Sequence, residues 1–426
     1  MSTAAAEASV YAAPAGRWFY GWTLVLALGV TETVSYGILQ YAFPVFIAPM
    51  GAELGWSMAA VTGAFSLATL VSAAAAVPAG RWVDRHGPRG LMTAGSILAA
   101  LLLFGWSRVR TIEGFYLLSA GLGLAMAAVL YEPAFAVVAN WFHRLRGRAL
   151  TVLTFIAGFA SVIFVPLATG LVEAHGWRQA LVWLAAILAV TTIPPHALLL
   201  RRRPEDLGLH PDGAAAAPFP LADGEREPSI SARAAVRSRS FGWLAAAFAL
   251  SALTGTAVAV HLIPLLLERG HTPAFAGAAR GMVGLLALPG RLIFTPLGGR
   301  WPRAAVTAGI FALQGLGVAA LLWGEGTAAV WIFVVLFGAG FGAITPARAA
   351  LVAELYGRAS FGAVSGTLAL LLALARAAAP LGASLLYLAG GGYPLVLAVL
   401  AALSFLAAAA VLGTGRHPPH PIASAA

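Results

Sequence analysis

The sequence predicts an all-α membrane protein with twelve transmembrane helices in two pseudo-symmetric six-helix halves. Three observations predict it. Of the 426 residues, 60% are hydrophobic and only 10% charged, where a soluble globular chain carries about 25%; mean hydropathy is +0.86. The apolar residues fall into twelve runs, and about 20 apolar residues cross a ~30 Å hydrocarbon core. The two sets of six runs also echo each other. Gly80-Arg81-Trp82 returns as Gly299-Arg300-Trp301, and Glu132-Pro133-Ala134 is answered by Thr345-Pro346-Ala347.

The predicted elements run in order as follows. Residues 1–17 form a cytoplasmic tail, with no basic segment ahead of the first apolar run and so no cleaved leader. The N-terminal half covers 18–200, with helices expected at 18–47, 57–79, 90–107, 114–139, 149–171 and 178–200. Residues 201–240, rich in Arg, Pro, Ala and Glu, read as a cytoplasmic linker. The C-terminal half covers 241–413, with helices at 241–267, 274–298, 304–323, 328–347, 360–388 and 393–413, and residues 414–426 form a second cytoplasmic tail.

Orientation follows from the arginines, which supply all 26 basic residues. With a cytoplasmic N-terminus, 19 lie in cytoplasmic segments and four, Arg108, Arg110, Arg178 and Arg269, on the far side. Both termini are therefore expected in the cytoplasm, across a plasma or inner membrane. The net charge of +10 is spread over short loops between apolar runs, a topology signal rather than a nucleic-acid surface. The absence of cysteine excludes disulfides and thiolate metal sites. No phosphate-binding glycine loop, HExxH or Gly-x-Ser-x-Gly motif occurs, so neither an enzyme, a metal nor a cofactor is expected.

The loop Pro78–Arg89, PAGRWVDRHGPR, carries Gly80, Arg81, Asp84, Arg85, Gly87 and Arg89. Gly80 and Gly87 permit a tight turn. Asp84 can face helix N-termini and nearby arginines, latching the halves in one state; a solvated charged loop is the alternative. The spacing resembles the signature loop of the major facilitator superfamily, and the copy between the eighth and ninth runs lacks the aspartate. Three further stretches are similar to the monocarboxylate porter and oxalate–formate antiporter branch: Tyr20–Gly37, YGWTLVLALGVTETVSYG; Tyr131–Leu150, YEPAFAVVANWFHRLRGRAL; and Arg201–Gly213, RRRPEDLGLHPDG. The resemblance implies the major facilitator fold and alternating access around a midplane site.

Three arginines lie inside apolar runs: Arg280, Arg291 and Arg376. A charge there costs ~2.5–3.5 kcal/mol on insertion scales. By resemblance, Arg291 matches the helix 8 arginine of this branch that meets a substrate carboxylate. Ala375–Ala379, ARAAA, resembles the antiporter's helix 11 segment whose cation meets substrate. A planar carboxylate suits a guanidinium, which can hold it bidentately. The alternative is that one or both pair with Glu132, Glu354 or backbone carbonyls. Arg280 is either a vestibule residue or a snorkelling side chain.

In the first run, Glu32, Tyr36 and Gln40 are spaced to share one stripe. Proton-coupled members of the branch carry lysine where Gln40 resembles it and aspartate where Ala287 does, so that coupling scheme is missing here. Glu32 is a substitute, since a buried carboxylate takes up protons more readily than an exposed one, or else a structural salt-bridge partner. His261 either titrates or packs helices. The Tyr131 hydroxyl is placed in the cavity or at the lipid interface. Pro133 and Pro346 mark kinks.

The sequence thus points to a transporter of a small organic anion, a mono- or dicarboxylate, moved with a proton or against a counter-anion. Substrate contacts are expected from Arg291, Arg376, Tyr36, Gln40 and Tyr131, coupling from Glu32 or His261, and switching from the Asp84 loop. The chain is expected to be a monomer in the lipid bilayer, with no nucleic-acid partner. An exporter of amphipathic or neutral molecules is the alternative; a transporter-like sensor without flux is the remote one.

Overall fold

The structure is a computed structural model. It describes residues 18–214, 231–297 and 301–416, with side chains of 294–297 and 416 excepted. The arginines at 17, 226 and 300 used in the orientation argument lie outside the described residues, as do the tail 1–17, part of the linker and most of the tail 414–426.

Among the described residues the regular structure is helical: α1 Tyr20–Tyr36, α2 Phe43–Leu54, α3 Met58–His86, α4 Pro88–Ser107, α5 Ile112–Val129, α6 Tyr131–Trp141, α7 Arg146–Ala157, α8 Ala160–Leu198, α9 Ala232–Arg237, α10 Arg239–Glu268, α11 Pro273–Leu297, α12 Arg303–Trp323, α13 Thr327–Tyr356, α14 Phe361–Gly390 and α15 Tyr393–Gly413. Ten runs of these helices are long and apolar enough to cross a membrane. One of them, Arg146–Leu198, turns at Gly176 (φ 76°, ψ 160°), separating the expected fifth and sixth spans. With α11, a helix of 25 residues, the count agrees with twelve. Large apolar side chains face outward along these spans, Leu117 at 76% exposure and Val190 at 72%. That belongs to a lipid-facing surface rather than a water-facing one.

Three spans depart from simple helices. The first run continues through a π-turn, Gly37–Tyr41, into α2 and ends at Leu54 rather than near 47. The fourth run breaks at Leu130, whose backbone is extended (φ −88°, ψ −169°). Pro133 has no N–H for the Val129 carbonyl, which explains the break there. The fifth run is interrupted at Gly158 and Phe159.

The chain divides into two compact units: Met1–Ser229 with Gly357–Leu370, and Ile230–Tyr356 with Leu371–Ala426. The first unit has a core built on Phe43, Phe46, Trp106, Phe115 and Trp177. The second is centred on Phe333, Phe337, Leu266 and Val396. One arginine in each unit fastens the carbonyl end of a helix at an interhelical corner. Arg178 donates to Ser107 and Val109, both at 2.9 Å. Arg269 donates to Leu321 at 2.6 Å and Gly324 at 3.0 Å.

The start of the expected linker is ordered on the first unit. Asp212, in the left-handed region (φ 61°), accepts from the backbone N–H groups of His143, Arg144 and Leu145 at 3.1, 2.7 and 3.1 Å. It thereby fixes the turn between α6 and α7 from a segment almost 70 residues away in sequence. Arg202 donates to the Asp84 carbonyl at 2.9 Å, and Tyr20 to the Leu199 carbonyl at 2.8 Å.

Candidate functional site

The first unit gathers its polar residues where two helices are irregular. Glu32 and Ser35 are fully buried on α1, and neither Glu32 carboxylate oxygen nor the Ser35 hydroxyl has a hydrogen-bond partner. Half-buried Tyr36 follows, with its ring 4.5 Å from that of Tyr131, the first residue of α6. Glu132 lies beside them in the first turn of α6, where a carboxylate favours the helix dipole, and within electrostatic range of Glu32. Ser365 of α14 donates to the Glu132 carboxylate. Neighbouring segments of the fourth and first runs thus meet through a broken helix and a π-turn, irregularities that recur at functional sites.

The π-turn alters the expected stripe. Four-residue spacing would set Gln40 over Tyr36, but the π-turn brings Tyr41, five residues on, to 6.5 Å from the Tyr36 ring. Gln40 is half-buried at the same turn. A small apolar cavity of about 20 Å³ in this unit is lined by Leu39, Phe43, Phe65, Trp106 and Met126, and none of the expected substrate residues lines it.

The signature loop has a defined partner. One Asp84 oxygen accepts from the backbone N–H of Gly362 and the other from that of Ala363, both at 2.9 Å. These are orphan donors in the first turn of α14. The approach is close because no side chain intervenes: a Cβ on Gly80 would overlap the Gly362 carbonyl, and one on Gly366 would overlap that of Ala76. Gly362 and Gly366 form a Gly-x-x-x-Gly pair, the spacing that lets helices touch backbone to backbone. Gly87 closes α3 with φ 83°. Arg81, Arg85 and Arg89 stand exposed around it. Arg358, three residues before α14, pairs with Glu205 at 3.0 Å.

In the second unit, Arg291 on α11 is half-buried and its Nε donates to the Gly342 carbonyl of α13 at 3.2 Å. Glu354 is engaged by Arg303 at 3.0 Å. Helices α11 and α13 are in backbone contact there: a Cβ on Gly342 would overlap the Ala287 carbonyl, and one on Gly290 the Ala339 carbonyl. Arg376 is exposed on α14, four residues before Pro380, so its own carbonyl has no helical donor. Arg280 is half-buried on α11. His261 uses both ring nitrogens between helices: Nδ1 lies 3.3 Å from the Tyr393 hydroxyl and Nε2 3.3 Å from the Pro380 carbonyl. Since the carbonyl only accepts, the proton sits on Nε2 and Nδ1 accepts from Tyr393 in the neutral ring.

The sequence reading missed four participants: Ser365, Asp212 as the acceptor of the α6–α7 turn, and the glycine pairs 362/366 and 338/342. The Gly-x-x-x-Gly spacing was the available signal for the last two.

The membrane spans and the buried polar groups at helix breaks are the features of a membrane transporter. Residues 28–380 match the Major Facilitator Superfamily, and the chain belongs to that family. It is 31% identical over 179 residues to the oxalate:formate antiporter of Oxalobacter formigenes, covering 42% of this chain and 41% of that protein. It is 26% identical over 351 residues to monocarboxylate transporter 13 of Rattus norvegicus, covering 81% and 76%. The match to the antiporter thus spans less than half of that relative. Among solved structures, the transporter FucP in its outward conformation superposes with a TM-score of 0.73 at 13% identity, covering 92% of this chain and 98% of that one.

Proposed function

We propose that the protein carries a small mono- or dicarboxylate across the membrane by alternating access. The observation that carries this reading is Arg291, a half-buried guanidinium on the apolar helix α11 whose Nε donates to the Gly342 carbonyl of α13. An intramembrane cation of this kind is a functional group by default. The names of the antiporter and the monocarboxylate relative point the same way. Arg291 and Arg376 are the residues proposed to meet the carboxylate, and Tyr36, Gln40 and Tyr131 are the further proposed substrate contacts.

Glu32 is the proton carrier in this reading. An ionised carboxylate buried without a partner costs several kcal/mol, and a proton removes that cost. His261 instead fastens α10 to α14 and α15. The Asp84 loop, with Gly80, Arg81, Arg85, Gly87 and Arg89, is the conformational latch, released when α14 leaves it. The arginine bias supports a reading with both termini in the cytoplasm and the spans in a plasma or inner membrane, with a monomer as the proposed working unit.

The test is a thermal-shift screen of the purified protein against oxalate, formate, lactate and larger dicarboxylates, followed by labelled uptake into proteoliposomes. A ligand that binds only the folded state raises the melting temperature. Uptake of a stabilising anion should fall at least tenfold in Arg291→Ala and in Arg376→Ala, the scale of a lost charge-assisted contact. Unchanged uptake in both variants, or competition by amphipathic or neutral compounds in place of anions, would point to the exporter reading.

A further inference from the structure

We propose that Pro346 is a positioning residue for Arg291: it strips the Gly342 carbonyl of its helical donor so that the Arg291 Nε can take it. The inference rests on the anion reading only for its functional consequence. The geometry stands by itself.

In a continuous α-helix the N–H of residue i bonds the carbonyl of residue i−4. Helix α13 runs unbroken through Thr327–Tyr356 with Pro346 inside it. Proline has no N–H, and its ring presses on the carbonyl four residues before it. That carbonyl is Gly342, which is buried. A buried carbonyl without a donor is costly, so its partner must come from elsewhere. The partner is Arg291, at 3.2 Å from the neighbouring helix.

The side chain can reach because α11 and α13 touch backbone to backbone at this level. Gly342 faces the Ala287 backbone, Gly338 lies a turn earlier against Val283, and Gly290 fits against Ala339. Any side chain at 342 would hold the helices apart. The three features form one device: small residues close the gap, proline frees the acceptor, and arginine fills it. A guanidinium on a flexible stem is thereby held by a fixed point in the helix backbone. Its Nε edge is committed, which removes the side-on mode of carboxylate pairing. A hinge role for Pro346 would need no such partner.

Two variants test this, Pro346→Ala and Pro346→Val. They differ in volume and share a restored N–H. Two readouts are needed. The first is the rate at which phenylglyoxal, an arginine-specific reagent, modifies Arg291, read by peptide mass spectrometry and independent of transport. The second is KM and Vmax for labelled oxalate uptake, with Arg291→Ala in parallel. Both variants are expected to speed modification of Arg291 and to raise KM about three- to tenfold with Vmax little changed, the scale of one ordinary intramolecular hydrogen bond felt through a positioned side chain. Unchanged modification in both variants overturns the proposal, and so does a fall in Vmax with KM and modification unaltered. If modification speeds up while Arg291→Ala transports every anion tested normally, the positioning stands and the anion reading falls.

Discussion

Asp84 and Gly362, 278 positions apart, are joined by a 2.9 Å hydrogen bond from the Gly362 N–H to the aspartate, with Ala363 completing the pair at 2.9 Å. A carboxylate placed on two orphan N–H groups at a helix start satisfies both donors and complements the helix dipole. It makes the first turn of α14 part of the unit that carries the signature loop.

Asp84→Asn keeps one acceptor oxygen and loses the charge. Hydrogen bonds to charged groups contribute about 1.5–3 kcal/mol. We expect the docked state to be weakened on that scale and uptake to fall severalfold. The chain has no cysteine, so a single Ser365→Cys reports docking without background. Its maleimide labelling should accelerate when Asp84→Asn is added; equal rates with and without that change would remove the latch role.

Gly362→Ala tests the contact itself. The added methyl would overlap Gly80 and crowd the Asp84 carboxylate. Two helix backbones must separate to admit it. Transport should drop to near background while the protein still folds, as judged by circular dichroism. Normal uptake by Gly362→Ala would mean that the helices need not touch during the cycle.

Asp212→Ala leaves three N–H groups of the turn between α6 and α7 without their acceptor. Losing these bonds costs about 1–3 kcal/mol. The expected outcome is a lower melting temperature in detergent with KM unchanged, because the contact involves none of the proposed substrate residues. A changed KM with an unchanged melting temperature would contradict a purely stabilising role.

Glu32→Gln replaces a fully buried, unpartnered carboxyl group with a neutral isostere. Since no ion pair is broken, the melting temperature should hold or rise. Anion exchange between equal pools should persist, and accumulation driven by a pH gradient should vanish. Retained pH-driven accumulation would take the coupling role away from Glu32.

What the sequence determined by itself was the solvent of each segment. Hydropathy separates lipid-facing runs from loops, and it placed the membrane spans and marked Arg291 and Arg376 as charges in apolar surroundings. The Asp84 loop was legible as a spacing, and Pro346 as an interruption. Only the tertiary structure decided which groups meet. Asp84 reaches Gly362, Asp212 fixes the turn between α6 and α7, and Arg291 takes the Gly342 carbonyl, all through contacts between residues 50 or more positions apart. The π-turn that swings Tyr41 toward Tyr36 is likewise set by packing, since α1, the turn and α2 form one apolar run in sequence. The physical reason is common to these cases. Burial is a property of each residue and leaves a mark in composition, whereas a hydrogen bond depends on where two backbones come to rest, and here small glycine contacts set that distance.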